Sequence, residues 1–594
     1  MIRTPLRPLA RILKAREKGE NPDAIEAENI RLRREDVRDK SRMRAEGRLL
    51  VMGAMFALAY GAIGVRMGAL AGTVSEEPQS TVVGNPIFGQ RADIVDRNGR
   101  ILATNLDTHA LYAHPRDMVD PEQTARELAA IFPELKVDQL VRDFTGTRKF
   151  VWIRRQLSPE QMQQVHDIGS PGLVFGPREM RLYPNGAIAA HILGGASYGR
   201  EGVASAEVIG VAGVERKFDE YLRDPANEGA PLELSIDLTI QAAAEEVLAG
   251  GMSIMNAKGA ASVLMDVHTG EIISMVSLPD FDPNKRPQVL LTGDQSDSPL
   301  FNRAMQGVYE LGSTFKIFAV AQAMELGLIN PETMINTKGP LQWGKFRIRD
   351  FHDYGAQLSA TDVIVQSSNI GTARIAMQIG AERQQEFLRS LGFMEATPVE
   401  LQEAPSGAPL LPRKWSELST MTISYGHGLS SSPLHLATAY SSLLNGGTRV
   451  YPTLLHRENR QTGPRIVRAE ISERSRDMLR QVVSRGTASF GEVEGYEVGG
   501  KTGTADKPKE NGGGYYKDKV IATFASVFPA NDPQYVLIVT FDEPSENSGS
   551  EPRRTAGWTA VPVAAEMIRR VAPLLGLRPQ VDRTEPIGIT LTSN

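Results

Sequence analysis

The chain has 594 residues, with 66 lysines and arginines against 71 aspartates and glutamates, and its formal net charge is −5. A charge so small over so long a chain excludes the basic footprint of a nucleic-acid-binding protein. The sequence contains no cysteine, which excludes disulfides, thiolate nucleophiles and sulfur-ligated metal sites. No His-Glu-x-x-His pattern of a zinc peptidase occurs either. We therefore expect no metal and no cofactor.

The N-terminal part is predicted to be a basic cytoplasmic tail over residues 1–48, followed by a transmembrane helix over residues 49–71. Leu49 to Val65 contains no charged residue, and Met67 to Ala71 continues the apolar run past Arg66. About 20 apolar residues cross a bilayer, and an arginine near the end of a span can reach the interface. A buried core helix is the alternative, although such helices seldom lack a polar face. The positive charge before the span favours an N-terminus in the cytoplasm and a large C-terminal part outside.

Beyond the membrane, composition and patterning divide the chain further. Residues 72–85 are small and polar and predict a linker. Residues 86–230 mix strands and short helices without a candidate catalytic cluster, which favours a pedestal that lifts the next domain and docks partners. Residues 231–577 carry the chemistry-bearing motifs and predict a catalytic domain. Residues 578–594 are largely polar, without periodicity, and predict a flexible tail.

The catalytic segment predicts an α+β fold, in which an antiparallel sheet is flanked by helices. Two apolar, β-rich runs, Ala260 to Asp266 and Glu271 to Ser277, are joined by a short turn and predict a hairpin. A helix is predicted from Ser313 to Leu326, ending at Gly327. Further elements are strands around Lys501, over Val520 to Val527 and over Tyr535 to Phe541, and a last helix over Thr559 to Leu574. An edge of this sheet could receive a peptide as an added strand.

Three short motifs occur in order along this domain. Ser313 and Lys316 lie three positions apart, which places both side chains on one helix face. Ser367 and Asn369 follow, and then Lys501-Thr502-Gly503-Thr504 just before an apolar run. A lone Ser-x-x-Lys is expected on the order of once or twice by chance in a chain of this length. The ordered set of three motifs predicts an active-site serine acyltransferase.

Each motif supplies a part that serine acyl transfer needs. A serine hydroxyl is a poor nucleophile at neutral pH, so a neighbour must take its proton, and Lys316 is placed for that role. An unperturbed lysine has a pKa of about 10.4. A base role for Lys316 therefore requires burial and a nearby cation, for which Lys501 is the candidate.

The remaining motif residues fit the substrate side of the reaction. Ser367 can relay the proton to the leaving amine, and the Asn369 amide can bind Lys316 and a substrate peptide group. The side chains of Lys501 and Thr502 suit a substrate carboxylate. Gly503 follows on the same predicted strand, between Thr502 and Thr504. The backbone N–H groups of Ser313 and Thr504 are the simplest pair of donors for a developing oxyanion.

These motifs, in this order, resemble those of the class B penicillin-binding proteins. Other parts of the chain carry the resemblance further, because Arg91 to Ala103, Arg181 to Pro184 with His191, and Gly213 to Glu215 are similar to the family's pedestal motifs. Tyr309-Glu310-Leu311-Gly312 departs from the family, which usually has Pro-Gly before the serine. The resemblance implies the penicillin-recognising serine transpeptidase fold.

Within the family, the chain resembles the division-specific, FtsI-like type. The features are Lys-Thr-Gly-Thr-Ala at Lys501, the region of Tyr515-Tyr516, and Asp542-Glu543-Pro544 after a strand. An elongation-type enzyme remains an alternative. The resemblance implies that Ser313 attacks the penultimate D-alanine carbonyl of a peptidoglycan stem peptide, that D-alanine leaves, and that an amine of a neighbouring stem resolves the acyl-enzyme.

The resemblance also implies the surroundings in which the enzyme works. Its substrates would be stem peptides on lipid-linked nascent glycan, and β-lactam antibiotics would acylate Ser313. Its partners would be a membrane glycan polymerase of the SEDS type and other membrane proteins of the divisome. The enzyme would be a single-pass protein of the inner membrane, with its catalytic domain in the periplasm.

Other functions are weighed against this one. A Ser-His-Asp triad is an alternative, because the chain contains His352-Asp353 and His427. Since Lys316 is available as the base, we prefer a structural or rim role for these residues. A β-lactam sensor should carry further spans or a cytoplasmic output domain, for which residues 1–48 are too short. A β-lactamase or D,D-carboxypeptidase needs a positioned carboxylate for water, and no motif supplies one. A non-catalytic divisome scaffold is disfavoured because all the reacting side chains are present.

Overall fold

The computed structural model describes residues 13–14, 16–19, 22–71, 91–201, 206–457, 463–509 and 514–580. The predicted linker over residues 72–85 lies outside the described residues, as does the tail beyond residue 580. The described chain forms two compact units. The smaller comprises Met1–Glu77, Tyr112–Ile153 and Gln164–Val174, and the larger comprises Pro78–Leu111, Arg154–Gln163 and Phe175–Asn594.

The smaller unit contains one long helix and two short ones, which are α1 (Pro22–Ala71), α2 (Pro121–Ile131) and α3 (Val137–Thr145). Helix α1 includes both the second half of the predicted basic tail and the whole predicted span. Its stretch Glu46–Met67 has a mean hydropathy of 1.7 and no part buried in the structure. That exposure is what a membrane-crossing helix requires and what a soluble core helix would not show.

The predicted pedestal contains short helices and two sheets, which lie mainly in the larger unit. Its elements are β1 (Ile94–Val95), β2 (Ile101–Ala113), β3 (Val151–Leu157), α4 (Pro159–Asp167), β4 (Leu173–Leu182), α5 (Ala190–Leu193), β5 (Gly195–Glu201), β6 (Ala206–Ala212), α6 (Gly213–Lys217) and α7 (Asp219–Arg223). Strand β7 (Leu232–Glu233) follows at the start of the predicted catalytic domain. One sheet has the order β3-β2-β1-β7, with β4 also paired to β2, and β5 pairs with β6. The parallel pairing of β1 with β7 joins the entry of the pedestal to the entry of the catalytic domain.

A buried ion cluster holds the pedestal motifs together. The Glu215 carboxylate accepts from Arg91 Nη2 at 2.6 Å and from Arg181 Nε at 2.6 Å. The Tyr183 hydroxyl donates to the same carboxylate at 3.2 Å, and Asp219 takes a further bond from Arg91 at 2.7 Å. Buried charges persist when they are paired in this way, whereas removal of one partner is strongly destabilising.

The catalytic domain is built on a five-stranded antiparallel sheet, as the sequence predicted. Its strands are β8 (Gly259–Asp266), β9 (Ile272–Leu278), β14 (Gly499–Pro508), β15 (Tyr515–Phe528) and β16 (Tyr535–Asp542), in the order β14-β15-β16-β8-β9. The central strands are buried on both faces, for example at the successive residues Val263 and Leu264 of β8. Strand β14 is the first in this order and therefore forms an edge of the sheet.

Helices cover the sheet, and four short strands form two separate two-stranded sheets. The helices are α8 (Leu238–Ile254), α9 (Lys316–Glu325), α10 (Ala360–Val365), α11 (Asn369–Ile379), α12 (Ala381–Ser390), α13 (Glu417–Ser424), α14 (Pro433–Leu444), α15 (Ala469–Arg485) and α16 (Ala560–Leu574), and the strands are β10 (Met334–Asn336), β11 (Leu341–Trp343), β12 (Phe346–Ile348) and β13 (Gln357–Ser359). Strand β10 pairs with β13, and β11 pairs with β12. Many helices begin at a capping side chain. Asp237, for example, accepts from Thr239 N at 2.8 Å at the start of α8.

The helix predicted over Ser313 to Leu326 differs in its first turn. Residues Gly312–Phe315 form a 3₁₀ turn, and the α-helix begins at Lys316. Gly312 has a φ of +57°, a conformation that glycine adopts without steric cost. The chain therefore enters the helix through a tight turn, and Ser313 lies on that turn rather than on the α-helix itself.

Candidate active site

The Ser313 turn packs directly against strand β14. A Cβ atom added to Gly503 would lie 2.2 Å from the Leu311 carbonyl oxygen, and one added to Gly312 would lie 3.0 Å from the Thr504 carbonyl oxygen. Only glycine allows the two backbones to approach so closely. The contact brings the first motif and the third motif together, although they are far apart in sequence.

Lys316 and Lys501 are both fully buried and meet at Ser367. Lys316 Nζ donates to Ser367 Oγ at 3.1 Å and to the Ser367 carbonyl oxygen at 2.5 Å. Lys501 Nζ donates to Ser367 Oγ at 2.9 Å and to the Thr502 carbonyl oxygen at 3.2 Å. The Ser367 hydroxyl thus lies between two amines, and the three motifs converge at one oxygen atom.

Burial changes the protonation of both lysines. Desolvation, together with the charge of Lys501, holds the pKa of Lys316 well below its usual range, while Asp350 acts in the opposite direction. Burial lowers the pKa of Lys501 to about 7. Because low-dielectric surroundings disfavour the charged form of an amine, Lys316 gives up its proton more readily than an exposed lysine, and its neutral form can accept a proton from a serine.

The Ser313 hydroxyl makes no hydrogen bond among the described residues. In the absence of substrate, Lys316 Nζ is bound to Ser367 instead. Hydrogen bonds between catalytic groups are often long or absent in the free enzyme and form in the complex with substrate.

The motif at Ser367 is held by a carboxylate that the sequence did not indicate. Asp350 accepts from Ser368 Oγ at 2.7 Å, from Asn369 N at 2.5 Å and from Ile370 N at 3.0 Å. Ser367 has a φ of +61°, which costs a non-glycine residue about 1–3 kcal/mol and persists only where neighbours enforce it. Asp350 provides that constraint, because it fixes the residues that follow Ser367.

Asn369 lies at the first position of α11, with its side chain beside the same loop. Its Nδ2 donates to the Arg349 carbonyl oxygen at 3.0 Å. No hydrogen bond joins it to Lys316 among the described residues, so its predicted contact with that lysine is not present in this structure.

The threonines of β14 are engaged by neighbouring elements. Thr502 Oγ1 lies 2.8 Å from Thr487 Oγ1, and Thr504 Oγ1 accepts from Ala556 N at 3.0 Å. Alternation along the strand turns Lys501 and Gly503 towards the Ser313 turn. The Thr504 backbone lies beside Gly312, so the two predicted oxyanion donors, Ser313 N and Thr504 N, belong to adjoining segments.

The two histidines considered for a triad, His352 and His427, lie away from Ser313. His352 is exposed and contacts the ring of Phe351, and Asp353 accepts from Gly355 N at 2.9 Å within its own turn. His427 lies between the rings of Tyr425 and Tyr515. Neither histidine contacts Ser313, which agrees with a structural or rim role.

Two short patterns in the sequence fit other enzyme classes by spacing alone. Gly495 to Thr502 matches the spacing of a phosphate-binding P-loop, and Gly195 to Gly199 matches that of a hydrolase nucleophile elbow. The first runs into strand β14 and the second lies within strand β5. Both motifs require a strand, a turn and a following helix, and neither segment has that context.

The chain matches known families over most of its length. A family model described as the penicillin binding protein transpeptidase domain matches residues 260–563, and one described as the penicillin-binding protein dimerisation domain matches residues 86–228. A probable peptidoglycan D,D-transpeptidase FtsI of Caulobacter vibrioides is 36% identical over 540 residues, which cover 89% of this chain and 88% of that protein.

More distant relatives show the same likeness. The peptidoglycan D,D-transpeptidase FtsI of Escherichia coli is 27% identical over 519 residues, which cover 82% of this chain and 84% of that protein. A crystal structure of penicillin binding protein 3 from Mycobacterium tuberculosis, complexed with aztreonam, superposes with a TM-score of 0.62 at 25% identity. The superposition covers 83% of this chain and 98% of that one.

Proposed function

Because the chain belongs to the penicillin-binding protein transpeptidase family, we propose that it is a peptidoglycan D,D-transpeptidase that works through an acyl-enzyme on Ser313. The observation that carries this proposal is the convergence of Lys316 and Lys501, both buried, on the hydroxyl of Ser367. That arrangement supplies a neutral amine, Lys316, as a base beside the Ser367 hydroxyl. Acyl transfer by a serine without a histidine needs such a base.

The first half-reaction is acylation. Neutral Lys316 takes the proton of Ser313 Oγ as the oxygen attacks the penultimate D-alanine carbonyl of a donor stem peptide. The backbone N–H groups of Ser313 and Thr504 stabilise the oxyanion. The proton passes through Ser367 to the leaving nitrogen, and D-alanine departs.

The second half-reaction resolves the ester. An amine of a neighbouring stem peptide attacks the acyl carbon, its proton returns through Lys316 to Ser313 Oγ, and a new peptide bond joins the two strands. During acylation the donor lies along the β14 edge, where Lys501, Thr502 and Thr504 hold the terminal carboxylate that leaves with D-alanine. Gly503 allows close approach, and Asn369 binds its peptide group. A β-lactam presents a similar carbonyl and carboxylate and acylates the same serine.

The division-specific role rests on relatives that are named FtsI. The enzyme cross-links septal peptidoglycan, and the elongation-type, sensor and scaffold alternatives are not favoured. Depletion separates the two cellular roles, because loss of a division enzyme gives filaments. Rounded cells would contradict the division role.

The membrane arrangement and partners belong to the same proposal. Residues 1–48 are cytoplasmic and basic, residues 49–71 cross the inner membrane once, and residues 72–85 link to a periplasmic pedestal over residues 86–230. The transpeptidase domain occupies residues 231–577. Its substrates are stem peptides on lipid-linked nascent glycan, and its partners are a SEDS-type polymerase and other divisome membrane proteins.

The activity is tested with the purified full chain and uncross-linked glycan carrying pentapeptides. Cross-linked dimers and free D-alanine should appear together in the wild type. Neither should appear in the Ser313→Ala variant or after treatment with penicillin. Release of D-alanine without dimers would show a carboxypeptidase and would contradict the proposal.

A further inference from the structure

An open cavity of about 570 Å³ lies beside the catalytic motif, and the mechanism above does not use it. Its two walls are residues 337–340 and 349–356, which continue beyond the pairing of β10 with β13. Thr337 ties the walls together, because its N donates to the Ala356 carbonyl oxygen at 2.9 Å and its Oγ1 to the Gly355 carbonyl oxygen at 2.9 Å. The cavity is therefore a formed feature of the fold.

The cavity adjoins the Ser367–Asn369 motif. Arg349 and Asp350 line it, and the same two residues bind Asn369, through the Arg349 carbonyl oxygen at 3.0 Å and the Asp350 carboxylate at 2.5 Å. On its other side, the catalytic motif meets β14 through the bond from Lys501 to Ser367. The motif thus lies between the cavity and the strand on which we place the donor peptide.

The charged groups of the cavity favour an anionic ligand. Lys338 and Arg349 line it, and neither side chain has a hydrogen-bond or ion-pair partner within the described ranges. The two acidic residues are already occupied, since Asp350 binds the start of α11 and Asp353 accepts from Gly355 N. The lining carries two positive and two negative charges, but only the two cationic side chains lack a partner among the described residues, so they are the groups that remain to bind a carboxylate of a ligand.

Aromatic rings add a second kind of contact. Phe351 is 83% exposed, and its ring lies 4.8 Å from that of His352, which in turn lies 6.1 Å from Tyr354. Pockets that combine ring faces with a few polar groups are typical of ligand sites. A pyranose ring has an apolar C–H face that packs on such rings, while its hydroxyls bind neighbouring polar groups.

We propose that this cavity binds a saccharide and a free carboxylate of the acceptor glycan strand. The inference rests on the proposed function. The acceptor is the substrate in question because the donor occupies the β14 side of Ser367, so the second strand must approach from the other side, where the cavity lies. Bound there, the strand brings its stem amine to the acyl carbon.

Binding is measured on the full chain after Ser313 has been acylated with penicillin, which fills the donor side. The probe is a short, uncross-linked glycan oligomer with intact stem peptides, titrated into the wild type and into a Lys338→Glu, Phe351→Ser variant. Loss of one cation and one ring face should raise the Kd about tenfold or more. A Lys338→Gln variant, which is milder, should give a smaller increase in the same direction.

The matched control is Lys345→Glu, Phe346→Ser on the neighbouring β11–β12 turn, where Lys345 lies 5.6 Å from the Phe346 ring. This variant changes the same residue types outside the cavity and should leave the Kd unchanged. Equal glycan affinity in the wild type and in both double variants would overturn the proposal. A free stem peptide without sugar should bind at least several-fold more weakly than the oligomer, and equal binding would count against a saccharide site.

Anionic phospholipid vesicles test whether the cavity binds the negative charge of a membrane surface instead of a glycan carboxylate. If the Lys338→Glu, Phe351→Ser change reduced the preference for anionic over neutral vesicles, both of which α1 can enter, and left glycan binding intact, the cavity would serve the membrane surface and the proposal would be overturned. Penicillin labelling tells whether a negative result concerns the cavity or the transpeptidase activity itself. A protein that labels but shows no cavity-dependent glycan binding contradicts only this proposal, whereas a folded protein that never labels contradicts the proposed function itself.

Discussion

At the scale of single residues, the account depends on two lysines with different protonation states. Lys316 must be neutral to accept the serine proton, whereas Lys501 must be charged to hold a substrate carboxylate. Both lysines are buried, and both have lowered pKa values.

The second-order rate constant for acylation by penicillin should therefore be bell-shaped in pH. It rises as Lys316 loses its proton and falls as Lys501 loses its own, with the falling limb near the pKa of about 7. In a Lys501→Arg variant the falling limb should disappear, because arginine stays charged throughout this range. Stopped-flow acylation between pH 5 and 9 measures both profiles. A wild-type rate that climbs steadily to pH 9 would contradict these roles.

Asp350 should act as a positioning residue for the same step. Asp350→Asn removes the charge that binds Ser368 Oγ and the Asn369 amide, and charge-assisted bonds are worth about 1.5–3 kcal/mol each. We expect acylation to slow by about 10- to 100-fold. The rising limb should also move to lower pH, because the Asp350 charge raises the pKa of Lys316.

The matched control for Asp350 is Asp353→Asn in the same loop. Its carboxylate accepts only from Gly355 N, so acylation and its pH profile should stay at the wild-type values. A purely structural role for Asp350 would change thermal stability without moving the pH profile, and that result would contradict the positioning role.

At the scale of elements, the active site depends on the contact between β14 and the Ser313 turn. Gly503→Ala places a methyl group 2.2 Å from the Leu311 carbonyl oxygen, so one of the two backbones must move. We expect a loss of about 1–3 kcal/mol in the free energy of unfolding. The rate of acylation should fall by more than the loss in free energy of unfolding accounts for, because the shift separates Thr504 from Ser313. Thermal melting and penicillin acylation on the same samples test this.

Gly250→Ala in α8 is the control substitution. Apart from its chain neighbours and the backbone of its own helix, no atom lies within 4 Å of the added methyl group, and alanine in a helix interior is favoured over glycine by about 1 kcal/mol. The variant should be as active as the wild type and slightly more stable. If Gly503→Ala behaved in the same way, the close contact would not be needed.

Much of this architecture could be predicted from sequence, and the exceptions have physical reasons. The sheet was predicted because its strands are continuous apolar runs, although β15 begins at Tyr515 rather than Val520. Its first residues extend past the buried core and lack the apolar pattern. The motif residues were predicted by chemistry, since few residue types can perform acyl transfer.

Asp350 could not be found in the same way. It contacts residues 18 to 20 positions away through a loop of irregular structure, and no local pattern indicates such a contact. The 3₁₀ turn at Ser313 was also missed, because the contact with β14 that imposes it comes from the far end of the sequence.

At the scale of the whole molecule, the fold is that of a penicillin-binding protein with dimerisation and transpeptidase regions, as the family resemblance implied. The apolar helix α1 provides a means of anchoring. An Ala57→Lys, Gly61→Lys variant puts two charges at the centre of the apolar stretch, each costing about 2.5–3.5 kcal/mol in a bilayer. The variant should leave the membrane fraction on alkaline washing.

A substitution at the end of the stretch is the control for anchoring. Glu46→Lys reverses a charge where lipid headgroups would lie, and the variant should remain in the membrane fraction. If the double-lysine variant were retained as firmly as the wild type, α1 would not be the anchor.

The central claim is that Ser313 is the acylated nucleophile, and covalent labelling tests it most directly. The full-length wild type and Ser313→Ala are incubated with a fluorescent penicillin and run on a denaturing gel. The account predicts that the wild type keeps the label through denaturation and that the variant carries none. Equal labelling of the variant, or no labelling of a folded wild type, would contradict it.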